Sequence, residues 1–159
     1  LSGFRLLSDE FGVLDPVTGR MLAMLKPVAL KNRSIEVIRA FSAEAVLGPI
    51  FPETRKGDVA HLAPNRVSVD SVDLPVKPRL ILFPRYQSGA GIELVPQPRE
   101  QAFARLAFNS FNYALLGPVS FNAVADLAAS CPAYELRYGN LEAAVGRIRA
   151  LLDEAEALA

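Results

Sequence analysis

The chain has 159 residues, 51% of them hydrophobic and 21% charged, and its 17 Lys and Arg balance its 17 Asp and Glu. That composition fits one compact domain over 1–159 rather than a disordered chain, and zero net charge excludes the basic excess expected of a general nucleic-acid or membrane-surface binder. One cysteine, Cys131, excludes an internal disulfide and fits a reducing cytoplasm, and no apolar run approaches the roughly 18 residues of a membrane span.

The spacing predicts a buried strand over 4–8, with Asp9 and Glu10 at its end. Residues 10–14 and 20–25 read as a hairpin around Asp15-Pro-Val-Thr-Gly19, where Pro16 presets φ and Gly19 tolerates positive φ. A short helix follows to Phe41, capped by Asn32 or Ser34, with Ile35, Val37 and Ile38 on its apolar side. Residues 45–51 are apolar but interrupted by Gly48 and Pro49. Glu53-Thr-Arg-Lys-Gly57 is a polar turn, and 58–62 alternates as a strand. Residues 64–78, with three prolines, read as a surface loop holding at most one helical turn.

Leu80-Ile-Leu-Phe83 is the strongest buried-strand signal, followed by a loop over 85–91 and a strand over 92–95. Pro98 opens a helix with Phe103, Leu106 and Ala107 on one stripe, ending near Asn109. Residues 111–116 are apolar and fit helix or strand. Gly117-Pro118 breaks the chain, and Ser120 caps a helix with Val124, Leu127 and Ala128 inward. In 133–138, Tyr134, Leu136 and Tyr138 alternate with Glu135 and Arg137, which is a strand pattern. After Gly139-Asn140, Leu141, Val145, Ile148, Leu152 and Ala155 form a helical stripe. The order is that of a mixed α/β chain with local hairpins, not a regular βαβ series.

Few residues carry obvious chemistry. Asp9 and Glu10 read in two ways. One is a strand end with two solvated carboxylates. The other is a bend at which one acid holds Mg²⁺ and the other accepts a proton. Arg55 and Lys56 suit either a solvated turn or the charge of a transferring phosphoryl group. Lys31 opens a helix, where a cation opposes the dipole unless it meets an anion. Arg85 follows a buried strand and is a further candidate anion contact. His61, the single histidine, reads as a structural or surface imidazole, and Cys131 as a small buried group. One His and one Cys form no zinc set, and no nucleophile elbow supports Ser-His-Asp hydrolysis.

Five segments add to this reading: Leu-Leu-Ser-Asp-Glu-Phe (6–11), Leu-Lys-Asn-x-Ser-Ile (30–35), Phe-Pro-Glu-Thr-Arg-Lys-Gly-Asp-Val-Ala-His-Leu (51–62), Phe-Pro-Arg-Tyr (83–86) and Phe-Asn-Tyr-x-Leu-Leu-Gly (111–117). In this order, over most of the chain, they resemble the HPr kinase/phosphorylase superfamily, nearest its branch called HprK-related kinase A. The resemblance implies an α/β P-loop kinase of the HPr kinase/PEP carboxykinase-like type, a mixed sheet with flanking helices. It implies a kinase that uses ATP and Mg²⁺, with Asp9 as general base on an accepting hydroxyl and Glu10, with Asp9, on the metal side. Arg55 and Lys56 would steady the transferring charge, and Lys31 and Arg85 would contact the nucleotide.

The chain departs from the family in three places. No Gly-x-x-x-x-Gly-Lys phosphate loop occurs in it. The expectation is therefore a fragment, the C-terminal portion of the catalytic domain with its N-terminal nucleotide-binding part missing. Leu1-Ser2-Gly3 would then end the helix after the loop, and the fragment alone would not bind ATP usefully. The Arg-Gly-Leu-Gly-type stretch that meets HPr is also absent, so HPr is not implied as substrate. The second acid is Glu where the family has Asp. The expected partners are ATP, a hydroxyl-bearing phosphoryl acceptor with proteins among the candidates, and a second copy of the chain. Neither nucleic acid nor membrane is expected. Transfer in the phosphorylase direction and a non-catalytic protein-binding module are the alternatives.

Overall fold

The computed structural model describes residues 1–157, with side chains in the last helix as far as Glu154. It is a mixed α/β chain with three small sheets and six helices among the described residues. No helix among them is long and apolar enough to cross a membrane. The chain forms two compact units: Leu1–Val13 with Met21–Val76, and Leu14–Arg20 with Lys77–Ala159.

Strands β1 (Val13–Leu14) and β2 (Met21–Leu22) form the hairpin expected from the sequence, with only two residues each. Its turn closes through the Gly19 amide on Asp15 O at 2.9 Å, with Gly19 at φ +64. The Thr18 hydroxyl and the Val17 amide donate to the Asp15 carboxylate and hold it below the usual carboxylate range.

The first unit is built on a three-stranded antiparallel sheet in the order β3 (Val28–Lys31), β5 (Gly57–Leu62), β4 (Phe51–Thr54). Helix α1 (Arg33–Phe41) buries Ile35 against Leu30, Ala60 and Leu62, with Val28, Ile38, Ala45 and Leu47 around them. Helix α2 (Arg66–Asp70) is the single turn anticipated in the 64–78 loop, and Asn65 caps it by accepting the Ser68 amide at 2.8 Å.

Three expectations here are corrected. Residues 4–8 form no strand, and Phe4 stays 42% exposed. The segment has no ladder partner and is tied by single bonds instead: the Leu6 amide donates to Ser68 Oγ at 2.8 Å, and Leu7 O accepts the Met24 amide at 2.9 Å. Asn32 stands at the N-cap position of α1, but neither its side chain nor that of Ser34 makes a capping bond to the helix. Asn32 adopts φ +49 and its side chain accepts the Asp58 amide at 3.1 Å, while Ser34 Oγ bonds the Lys31 backbone. Lys31 itself ends β3 and does not open the helix.

The second unit holds the sheet β6 (Ile81–Tyr86), β8 (Ala133–Tyr138), β7 (Glu93–Gln97), with β8 in the middle. Strand β8 runs parallel to β6 and antiparallel to β7. Pro84 and Pro96 are tolerated because both lie on edge strands, which can spare an N–H. Strand β6 continues through Arg85 and Tyr86, so the loop expected from 85 starts later. Between β6 and β8 the chain makes β7 and then α3 (Arg99–Asn109), α4 (Tyr113–Leu116) and α5 (Pro118–Ser130). The apolar run 111–116 thus resolves as a short helix.

Ser120 lies inside α5, two residues past Pro118 at its start. Its hydroxyl donates to Tyr113 O at 2.6 Å, so it joins α4 to α5 instead of capping. One sheet face buries Ile81 and Ala133 with Ala102, Ala128 and Cys131. Leu136, 1% exposed at the centre of β8, is the largest fully buried side chain of the unit. Truncating such a leucine to alanine costs about 2–5 kcal/mol. Helix α6 (Leu141–Ala157) buries Ala144 and Leu151, one step round from the expected stripe, with Leu141, Val145, Ile148 and Leu152 half-buried. Ala155, also placed on that stripe by its spacing, lies outside the described side chains.

Candidate functional site

The acid pair is presented by a bend rather than by a strand end. Arg5 donates from its guanidinium to Leu74 O, and Leu6 is anchored to Ser68, so the segment enters the bend from a fixed direction. Ser8 Oγ then accepts the Phe11 amide at 3.1 Å, closing a four-residue turn with Asp9 and Glu10 inside it. A short side-chain acceptor favours this local turn over continued extension. On a straight strand, neighbouring side chains would point to opposite faces. In the bend both Asp9 and Glu10 are exposed and line one open cavity of about 310 Å³, with Arg5 and Ser8 on its wall.

Arg55 and Lys56 sit at the tip between β4 and β5. Thr54 builds the tip: its hydroxyl donates to Gly57 O at 2.6 Å and accepts the Lys56 amide at 3.1 Å. Asp58 Oδ1 accepts the Glu53 amide at 3.1 Å, supporting the same turn. Both cations are exposed, as is Lys31 at the end of β3. Among the described residues, no hydrogen bond or ion pair joins Asp9 or Glu10 to Lys31, Arg55 or Lys56.

Arg85 belongs to the second unit, where its guanidinium stands 4.0 Å from Glu135 and is 65% exposed. Sequence reasoning did not single out the rest of this group. Glu135 Oε1 accepts Arg137 Nε at 3.0 Å, Arg105 Nη1 lies 3.5 Å from Oε2, and Arg137 Nη1 reaches Glu93 Oε2 at 3.0 Å. The bond from Arg137, with the charges of Arg105 and Arg85, holds the Glu135 carboxyl below its ordinary range, and the carboxylates of Glu135 and Glu93 raise Arg137. The one available signal was the alternation of Glu135 and Arg137 with apolar residues along 133–138; Arg105 gave none. His61 is an exposed position between buried Ala60 and Leu62 on β5, in keeping with a surface imidazole. Cys131 is free and buried.

The donor chemistry bears on which groups could be held. Two neighbouring carboxylates suit Mg²⁺, which keeps most of its waters and takes one or two carboxylates beside phosphate oxygens. Among the described residues no three His, Cys, Asp or Glu side chains group as a metal cage. Asp9 and Glu10 therefore fit a shared metal–phosphate contact and not a self-sufficient ion site. No segment of this sequence supplies a phosphate-cradling loop. Comparison with protein-family models, curated proteins and solved structures finds no match to this chain.

Proposed function

We propose that this chain is part of an ATP-dependent kinase related to HPr kinase, acting in the cytoplasm on a hydroxyl-bearing acceptor, with a P-loop fold of the HPr kinase/PEP carboxykinase-like type. The observation that carries the reading is the Ser8–Phe11 turn, which brings two sequence-adjacent carboxylates into one open cavity. Asp9 would take the proton of the attacking hydroxyl, and Glu10 would steady Mg²⁺. Exposed Arg55 and Lys56 would supply positive charge for a phosphoryl group and Lys31 a nucleotide contact, while Arg85 is a candidate anion contact of the second unit. The reading requires a phosphate-binding loop outside these residues, since none of them carries the Gly-x-x-x-x-Gly-Lys motif.

The test is phosphoryl transfer from γ-labelled ATP, with a total soluble extract as the acceptor pool and the protein as its gene encodes it. Loss of general-base catalysis in Asp9→Asn should lower transfer by about 10²–10⁴-fold. Unchanged transfer would remove Asp9 from the mechanism, and a gene with no phosphate-binding loop would end the kinase reading.

A second reading, a protein-binding module without turnover, is favoured by a different observation. Phe108 at the end of α3, Phe111 in the turn that follows and Leu115 in α4 are 91%, 82% and 86% exposed. Apolar surface of this kind on one stretch often marks an interaction site. Transfer that disappears in Asp9→Asn decides for the kinase, and an intact fold with no ATP turnover decides for the module.

A further inference from the structure

The charged face of the second sheet carries more guanidinium than its carboxylates can use. Phe83 pairs with Glu135 and Arg85 with Arg137 across β6 and β8, and Glu93 pairs with Arg137 across β8 and β7, so strand alternation puts all five on one face. Helix α3 lays Arg105 over that face, its guanidinium carbon 3.7 Å from the centre of the Phe83 ring. Three arginines thus meet two glutamates.

The sharing among them is unequal. Arg137 takes the short bonds, 3.0 Å to Glu135 and 3.0 Å to Glu93. Arg85 and Arg105 are left with contacts of 4.0 and 3.5 Å to Glu135, and Arg105 adds Gln97 Oε1 at 3.3 Å. A guanidinium pairing fully with a carboxylate closes to about 2.7–2.9 Å and often uses both arms. One carboxylate cannot serve three forks, so Arg85 and Arg105 keep most of their five donors unused by the protein. Stacking on Phe83 fixes the plane of Arg105, which lowers the ordering cost of binding at its edge.

We infer that Arg85 and Arg105 form a subsite for the phosphate group of a small-molecule ligand. Glu135, neutralised mainly by Arg137, separates the two guanidiniums and limits their repulsion without cancelling their charge. A tetrahedral phosphate, with two negative charges and several acceptor oxygens, can bridge forks arriving from a strand and from a helix. A carboxylate has only two oxygens in one plane and suits a single fork. The inference shares Arg85 with the kinase reading but needs no turnover, so the two can fail separately.

The test titrates inorganic phosphate, and in a parallel arm acetate at matched ionic strength, into the protein while NMR follows the arginine side-chain Nε–H signals. Phosphate should saturate with a dissociation constant of about 1 mM or tighter, shifting Arg85 and Arg105. Arg85→Gln, at an exposed position, should weaken binding about tenfold through loss of a charge-assisted bond. Arg105→Lys keeps the charge and removes the fork, and it should weaken binding too, with the thermal melt confirming an intact fold. The proposal is overturned by no saturation in the millimolar range, by an equal response to acetate, or by unchanged binding in Arg85→Gln.

Discussion

Asn32 Oδ1 accepts the Asp58 amide at 3.1 Å, and the Asn32 amide in turn donates to Asp58 O at 2.9 Å. This reciprocal pair fixes the entry of α1 against the β4–β5 tip that carries Arg55 and Lys56. The fit leaves no room beside it. Gly57 has φ +83, and a Cβ there would lie 2.2 Å from Asn32 Oδ1. Gly57→Ala should therefore lower stability by about 1–3 kcal/mol from backbone strain, with the clash in addition. Asn32→Gly removes the obstructing side chain and keeps the positive φ accessible. Combined with Gly57→Ala, it should recover part of the loss, giving a coupling of about 0.5–3 kcal/mol in urea denaturation. Strict additivity would show that the two residues do not compete for the same space.

Ser68 holds the acid-bearing segment from a distance. It is 1% exposed, accepts the Leu6 amide at 2.8 Å and donates to Asn65 Oδ1 at 2.6 Å. Ser68→Ala leaves both partners short of a bond and should cost about 1–3 kcal/mol. Hydrogen exchange at the Leu6 amide should accelerate more than exchange in β5. Uniform acceleration would mean that Ser68 supports the whole unit and not this segment in particular.

The parts of the fold legible in the sequence are those decided locally. The Asp15–Gly19 turn, α3, β8 and α6 follow from turn chemistry or from one clear period, and the structure keeps them. Strands β3 and β4 give no local signal, because their short, Pro-flanked or Pro-containing sequences mean little without β5 between them. The 4–8 segment gives a strand signal that the fold does not keep, for the converse reason. Its apolar residues suit a strand, but a strand also needs a neighbour, and here Ser68 and Met24 supply only isolated bonds. Within the candidate site, the acid pair was visible as a pair, whereas the turn that aims it depends on one serine hydroxyl. The Arg85–Glu135–Arg105 group was invisible because its members come from three separate elements.

The Glu135 group predicts an acid-sensitive contribution to stability. Its carboxyl is held below the ordinary glutamate value of 4.5, chiefly by the hydrogen bond from Arg137. A carboxyl lowered in the folded state stabilises fully above its unfolded value and loses that contribution as pH falls through the folded one. Urea midpoints should therefore hold steady down to the ordinary glutamate range and decline below it. Glu135→Gln should flatten that decline while lowering stability at neutral pH, because Arg85, Arg105 and Arg137 lose their shared counter-charge. An acid limb identical in the variant would assign the decline to other carboxylates.

Arg55 and Lys56 separate catalytic from structural roles most cleanly. Both are exposed, and neither side chain is what shapes the tip; Thr54 and Gly57 do that through the bonds of the Thr54 hydroxyl to the backbone and a positive φ. Arg55→Gln with Lys56→Gln should then leave stability within about 0.5 kcal/mol of the parent. If the two cations steady a transferring phosphoryl group, their removal should cut Mg-ATP-dependent transfer by about a hundredfold or more, as loss of a charge-stabilising donor does elsewhere. That loss should fall on kcat more than on KM, because charge builds up at the transition state and not in the bound substrate. A double variant with full activity and full stability would identify the tip as an ordinary solvated turn, leaving Asp9 and Glu10 to act without it.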